Sequence, residues 1–174
     1  TVPDLEAEGQ NINWYSHSSL ASSVYSGNSY ATGKKDPGTY VYFVTQTVDN
    51  CRSLPTTDSL TIHSLPTITF SVQPPELCSG LDVAMVNLSD TIDLFWEFGD
   101  GTVDSVYNPA LHQYSNTGTT IKYFPVKLTG TTEYGCSRNL IKYVTVYPFR
   151  DFDFIITPDS SCHPATVNII SPPG

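Results

Sequence analysis

Apolar positions in this chain alternate rather than recur at helical spacing. Residues 38–48 read Gly-Thr-Tyr-Val-Tyr-Phe-Val-Thr-Gln-Thr-Val, placing Tyr40, Tyr42 and Val44 on one face and Val41, Phe43 and Thr45 on the other. Aromatic and β-branched residues on both faces suit a central strand of a sandwich. Shorter runs at 11–15, 60–63, 67–72, 83–87, 94–98, 126–129 and 140–147 have the same character, and clusters of Gly, Pro, Asn and Asp separate most of them. No stretch sustains a 3.6-residue period over three turns. Many short strands with turns between them predict an all-β chain of sandwiches.

Two strand ends close on a proline, at Leu65-Pro66 and at Tyr147-Pro148. They divide the chain into 1–66, 67–148 and a remainder, 149–174. A shift of 84 residues superposes Phe70 on Phe154, Pro74 on Pro158, Cys78 on Cys162 and Val83 on Val167. The remainder is therefore expected to open a further copy of the second segment, and tandem copies suit a rod better than a compact enzyme. The start at Thr1-Val2-Pro3 and the end at Pro172-Pro173-Gly174 fit an internal piece of a longer protein. The cysteines are read in the same frame. Cys78 and Cys136 fall within the second segment and are expected to pair, closing a loop whose cross-link would stabilise by about 4 kcal/mol. Cys162 repeats Cys78 and Cys51 stands alone, so their partners are expected beyond Gly174 and before Thr1. Four free thiols are the alternative. Disulfides would imply an extracytoplasmic compartment.

Composition narrows the function. Charged residues make up 14% of the 174 positions, against about 25% in ordinary globular proteins. Eight Lys and Arg against seventeen Asp and Glu leave a net charge of −9, which opposes nucleic acid and anionic membrane surfaces. No apolar run approaches a membrane span.

Trp96-Glu97-Phe98-Gly99-Asp100-Gly101 resembles the W-x-F-G-D-G signature of PKD (polycystic kidney disease) domains. Cys78-Ser79-Gly80 followed by Val83, Met85, Asn87 and Ser89 is similar to that family's C-x-G then V-x-F-x-N-x-S. Pro109, His112 and Tyr114 match its P then H-x-Y, and the match continues through Val126-Lys127-Leu128, Gly135-Cys136 and 144–148. The resemblance covers 67–148 and implies a β-sandwich. Trp96 and Phe98, two apart, are expected in the core; Gly99 and Gly101 are expected at positive φ, with Asp100 binding turn amides. His112 is expected to make a structural hydrogen bond. A calcium ion would instead use Asp100 with Asp104.

Residues 1–66 resemble the Ig-like modules found beside PKD domains in large surface proteins of gliding, type IX-secreting bacteria. Trp14 sits where a strand-C tryptophan would, and Asp36-Pro37-Gly38-Thr39-Tyr40 is similar to a tyrosine corner. Tyr42 takes the place of the second cysteine of the inter-sheet bond. The two resemblances together imply tandem Ig-like/PKD β-sandwiches.

Catalytic chemistry finds little support. His17, His63, His112 and His163 are scattered, and neither H-E-x-x-H nor G-x-S-x-G occurs. No enzyme activity and no cofactor is expected. Tyr15, Tyr25, Tyr30, Tyr107 and Tyr123 are the candidates for stacking on polysaccharide, with packing as their alternative role. Asp58-Ser59-Leu60, Asp90-Thr91-Ile92 and Asp104-Ser105-Val106 resemble the D-[ST]-apolar O-glycan acceptor of the same bacteria, making Ser59, Thr91 and Ser105 candidate sites; Asn87-Leu88-Ser89 fits the N-glycan triplet. The function these features imply is a non-catalytic stalk or adhesive segment of an extracellular or cell-surface protein. Its partners would be neighbouring domains of the same chain, with polysaccharide or cell-surface ligands. The alternative is an ancillary spacer or polymer-binding part of a secreted hydrolase.

Overall fold

The computed structural model describes residues 2–90 and 93–149, together with the backbone of two strands at 155–157 and 168–170. The expectations for Thr91 and Cys162 lie outside the described residues. The chain is all-β, with no helix among the described residues. It divides into two compact units, one of residues 1–66 with 132–136 and one of 67–131 with 137–174.

The first unit runs through β1 (Leu5–Glu6), β2 (Asn13–Tyr15), β3 (Tyr25–Ser26), β4 (Ser29–Tyr30), β5 (Gly38–Thr45), β6 (Thr47–Val48), β7 (Cys51–Arg52) and β8 (Thr56–Ile62). An antiparallel sheet of order β3-β2-β5-β8 forms its body, while β1 pairs with β4 and β6 with β7. Asp49 and Asn50 turn the β6–β7 hairpin at φ of 49° and 64°, a conformation their short polar side chains tolerate. Leu5, Ile12, Trp14, Tyr42 and Leu60 make the core. The strand expected at 38–48 ends at Thr45, and Val41 on its second face is 44% exposed. One four-stranded sheet with two two-stranded pairs beside it leaves that side of β5 partly open.

The second unit contains β9 (Phe70–Gln73), β10 (Glu76–Cys78), β11 (Asp82–Asn87), β12 (Asp93–Glu97), β13 (Val103–Asp104), β14 (His112–Gln113), β15 (Lys122–Thr131) and β16 (Ser137–Tyr147). Its sheets have the orders β10-β16-β15-β12-β13 and β14-β11-β9. Alternation sends Leu94 and Trp96, Val126 and Leu128, and Val144 and Val146 inward from the larger sheet, and Phe70, Val83 and Met85 meet them from the smaller. The result is a two-layer β-sandwich with one continuous core. The two last strands, β17 (Ile155–Thr157) and β18 (Asn168–Ile170), pair antiparallel.

Candidate functional site

The turn after β12 gathers the residues that the sequence singles out. Trp96 and Phe98 point into the core, with Trp96 fully buried and its indole N–H donating to the Val106 carbonyl at 3.1 Å. Phe98 lies parallel to Trp96 at 6.3 Å. Gly99 then turns at φ +83° directly over Pro125, and a Cβ there would stand 2.6 Å from the Pro125 carbonyl oxygen. Pro125 lies just beyond the last β12–β15 pair, Glu97↔Lys127, where β12 leaves the ladder. A residue without an N–H is tolerated at that point. Glycine is therefore required both by conformation and by the close approach of two backbones.

Asp100 closes the turn. Its Oδ1 accepts from the Thr102 amide at 3.0 Å and from the Thr102 hydroxyl at 2.6 Å, and its Oδ2 meets His112 Nε2 at 2.7 Å. Burial disfavours the Asp100 charge, but the Thr102 bonds and then His112 outweigh it and hold the carboxyl below its ordinary range. His112, brought by β14, stacks on Phe98 at 4.4 Å and lies edge-on to Tyr114 at 4.8 Å. The Tyr114 hydroxyl donates to the Phe98 carbonyl at 2.9 Å; burial and then the Asp100 charge push its pKa well above that of free tyrosine.

Chemically, the cluster is occupied with itself. A relay needs a hydroxyl hydrogen-bonded to the histidine. Thr102 Oγ1 donates to Asp100 at 2.6 Å, and its bond with His112 Nε2 is long, at 3.5 Å. Asp104 accepts from the amides of Ser105 and Val106 in its own loop, at 2.7 and 3.2 Å. No group of three metal-ligating side chains occurs among the described residues. The arrangement joins β12, its turn and β14 across the two sheets.

The expected Cys78–Cys136 bond does not form. Cys78 ends β10 opposite Tyr147, the last residue of the eleven-residue β16, whereas Cys136 precedes its first, Ser137. At about 3.3 Å per residue the two lie about 36 Å apart along one sheet, far beyond disulfide reach. Both are free thiols, as is Cys51 in the β6–β7 hairpin. Position within one segment concealed that a parallel edge strand and a hairpin tip occupy opposite ends of the sheet.

In the first unit, Trp14 is fully buried and donates to the Gly27 carbonyl at 2.8 Å, and the Tyr40 hydroxyl donates to the Asp36 carbonyl at 3.0 Å. Tyr42 packs edge-on against Tyr30. Among the proposed sugar-stacking tyrosines, Tyr15 is buried and Tyr30 is half-buried with Tyr25 stacked on it at 5.0 Å; Tyr25, Tyr107 and Tyr123 are exposed. Ser59 and Ser105 are exposed, and in both the preceding aspartate accepts from the serine amide at 2.7 Å. Asn87 is not a glycan acceptor: it is buried and exchanges hydrogen bonds with Ser89, which fastens Thr69.

Two further features escaped sequence reasoning. Asn116 is fully buried, donates to the carbonyls of Thr120 and Val146 at 2.8 Å each, and accepts from the Gly118 amide at 3.2 Å. Asn-Thr-Gly composition signals a turn, but not the distant Val146 carbonyl that the amide satisfies. The second is a cleft of about 860 Å³ walled by Ile121, Tyr123, Tyr147, Pro148 and Phe149. Tyr143 and Tyr147 fall in the run expected at 140–147, whose pattern marks them only as strand residues.

No family model matches the chain, and no curated protein matches it. Solved structures do. Carbohydrate-binding modules of the β-sandwich superfamily, described for promiscuous specificity, align at 23% identity over 49% of this chain and 35% of theirs, with a TM-score of 0.43. The PKD1 domain of the Vibrio cholerae metalloprotease PrtV aligns at 25% identity over 48% of this chain and 99% of that domain, TM-score 0.39. The amphioxus IgVJ-C2 molecule aligns at 18% identity over 83% of this chain and 93% of its own, TM-score 0.34.

Proposed function

We propose that this chain is a non-catalytic structural segment of a larger extracellular or cell-surface protein, a stalk or spacer in adhesion or surface motility built from tandem sandwiches. The observation that carries the reading is a repeated register. In β9–β11, Ser71 pairs with Val86, Val72 with Met85 and Gln73 with Ala84. In β17–β18, Ile155 pairs with Ile170, Ile156 with Ile169 and Thr157 with Asn168. Every pair is displaced by the same interval (155 − 71 = 170 − 86 = 84), the offset at which the sequence repeats. Register in a sheet follows the side-chain pattern, so one module template governs both places. Residues 149–174 open the further copy. A tandem array of such copies suits a stalk better than a compact enzyme.

The self-satisfied Asp100–Thr102–His112 cluster supports a structural role for the signature turn. Exposed hydroxyls at Ser59 and Ser105 support their assignment as O-glycan sites on such a surface protein. Stretching the parent protein between two anchors tests the array. Unfolding should release chain in recurring steps of about 84 residues, each about 290 Å of contour at ~3.4 Å per residue. A parent chain with no recurring step would overturn the reading.

A further inference from the structure

The outward face of the five-stranded sheet carries an unexplained row of aromatic rings. Cross-strand pairing fixes who stands there. Tyr123 on β15 lies opposite Thr145 on β16, with Tyr143 two residues before Thr145 and Tyr147 two residues after it; Pro125 lies opposite Tyr143. The inward-facing neighbours Phe124, Val144 and Val146 belong to the core, so the tyrosines face away from it. Tyr123 is 64% exposed, Tyr143 61% and Tyr147 38%. Diagonal neighbours across a ladder are about 7–8 Å apart, which places Tyr123 within that distance of each of the other two.

These rings do not serve one another. The first unit's Tyr25 and Tyr30 stack at 5.0 Å, but no ring pair forms between Tyr123, Tyr143 and Tyr147. Glu76 accepts from the Tyr147 hydroxyl at 3.1 Å, which steadies that side chain and raises its pKa. Lys127 binds Glu97 at 2.6 Å on the same face, which cancels that pair of charges and leaves the Glu76 carboxylate beside Tyr147. Thr145, Thr129 and Asn139 share the face, placing hydroxyls and an amide among the rings. The surface is thus aromatic and supplied with neutral hydrogen-bonding groups, and the charge left on it beside Tyr147 is negative, as is the chain's net charge of −9. Exposed aromatic patches of this kind mark binding sites.

We propose that this face binds an uncharged polysaccharide, with Tyr123, Tyr143 and Tyr147 each stacking on a sugar ring along the strand direction. A pyranose presents an apolar C–H face of about the size of one phenol ring and hydroxyls at its rim, which match separated rings set among threonines. A polyanion would meet the chain's negative charge, and an apolar protein partner would leave the threonines, Asn139 and the tyrosine hydroxyls without partners. The site does not depend on the spacer reading, because a module can hold distance without binding anything.

Affinity electrophoresis of the intact chain through gels containing a soluble neutral β-glucan, a galactomannan or a xylan, with alginate as the polyanion, tests it. At least one neutral polymer should retard the chain, and Tyr123→Ala and Tyr143→Ala should each weaken retardation about tenfold, one stacked ring being worth about one decade. Tyr123→Phe should retain binding, and Leu111→Ala, which removes an exposed apolar side chain elsewhere on the same unit, should change nothing. Indifference to all three neutral polymers, retardation by alginate alone, or unchanged retardation in the double Tyr123→Ala, Tyr143→Ala variant overturns the proposal. So does concentration-dependent dimerisation in sedimentation that the same double substitution abolishes, which would make a second copy of the chain the occupant.

Discussion

The two units solve the burial problem differently. The second unites two sheets around twelve buried apolar side chains, from Phe70 to Val146. The first buries six, five of them in one cluster, and it lets aromatic contacts among Trp14, Tyr30 and Tyr42 do what a second full sheet does elsewhere. Satisfaction of polar groups follows the same division. Asn116, Asn87 and Ser89 in the second unit are buried and bonded, whereas the hydroxyls of Tyr42 and Thr45 in the first are buried with no partner. An unpaired buried hydroxyl costs about 1–3 kcal/mol. A small sandwich with an incomplete second layer is accordingly marginal, and its neighbour is a self-sufficient module.

Substitution of the two tryptophans bears hardest on this contrast. Both are fully buried, and removing such a side chain costs about 3–5 kcal/mol. Trp96→Ala should lower the midpoint of the more stable denaturation transition yet leave it visible. Trp14→Ala should abolish the weaker transition at 25 °C and leave the stronger one in place. Loss of both transitions in either variant would show that the units do not differ as described.

The signature turn sharpens the comparison within the second unit. Gly99 and Gly101 both have positive φ, but only at Gly99 would a Cβ strike backbone; at Gly101 it meets open space. Gly101→Ala should cost about 1 kcal/mol for the left-handed conformation, and Gly99→Ala about 3 kcal/mol or more as Pro125 is displaced. Urea midpoints at constant slope measure both. Asn116→Ala should fall between them, at about 1–3 kcal/mol, because it leaves the Val146 carbonyl buried and unpaired.

How much of this was legible follows from the range of the interactions. The turn could be read because Gly99, Asp100 and Gly101 act within a few residues, and Trp96 and Phe98 share a face by simple alternation. The repeat was legible because a strand's register is written in its own side-chain pattern. Asn116 reaching Val146, and the row formed by Tyr123, Tyr143 and Tyr147, needed the β15–β16 register, which no local pattern supplies. The exposure of Val41 was hidden for another reason. Aromatic and β-branched residues favour strands whether or not a second layer covers them.

Acid should affect the second unit through Asp100. Its folded pKa is lowered, so its contribution to stability is fully present above the unfolded carboxylate value of about 4 and is lost as pH falls through the folded value. The stronger transition should weaken below about pH 4, and Asp100→Asn should remove part of that slope while lowering stability at neutral pH. A slope unchanged in Asp100→Asn would place the acid sensitivity elsewhere.

The smallest effect expected is none at all, and it separates the structure from the cysteine pattern. A bond between Cys78 and Cys136 would tie the ends of a long loop and stabilise by about 4 kcal/mol, so a reductant would shift the stronger transition by most of that amount. With the two thiols at opposite ends of the sheet, dithiothreitol should leave both transitions unmoved, and alkylation of the unreduced, denatured monomer should label Cys51, Cys78 and Cys136 alike. A reductant-dependent shift confined to the stronger transition, together with protection of Cys78 and Cys136 from alkylation, would require β10 to leave the edge of β16. That would dismantle the Glu76↔Thr145, Leu77↔Val146 and Cys78↔Tyr147 pairing.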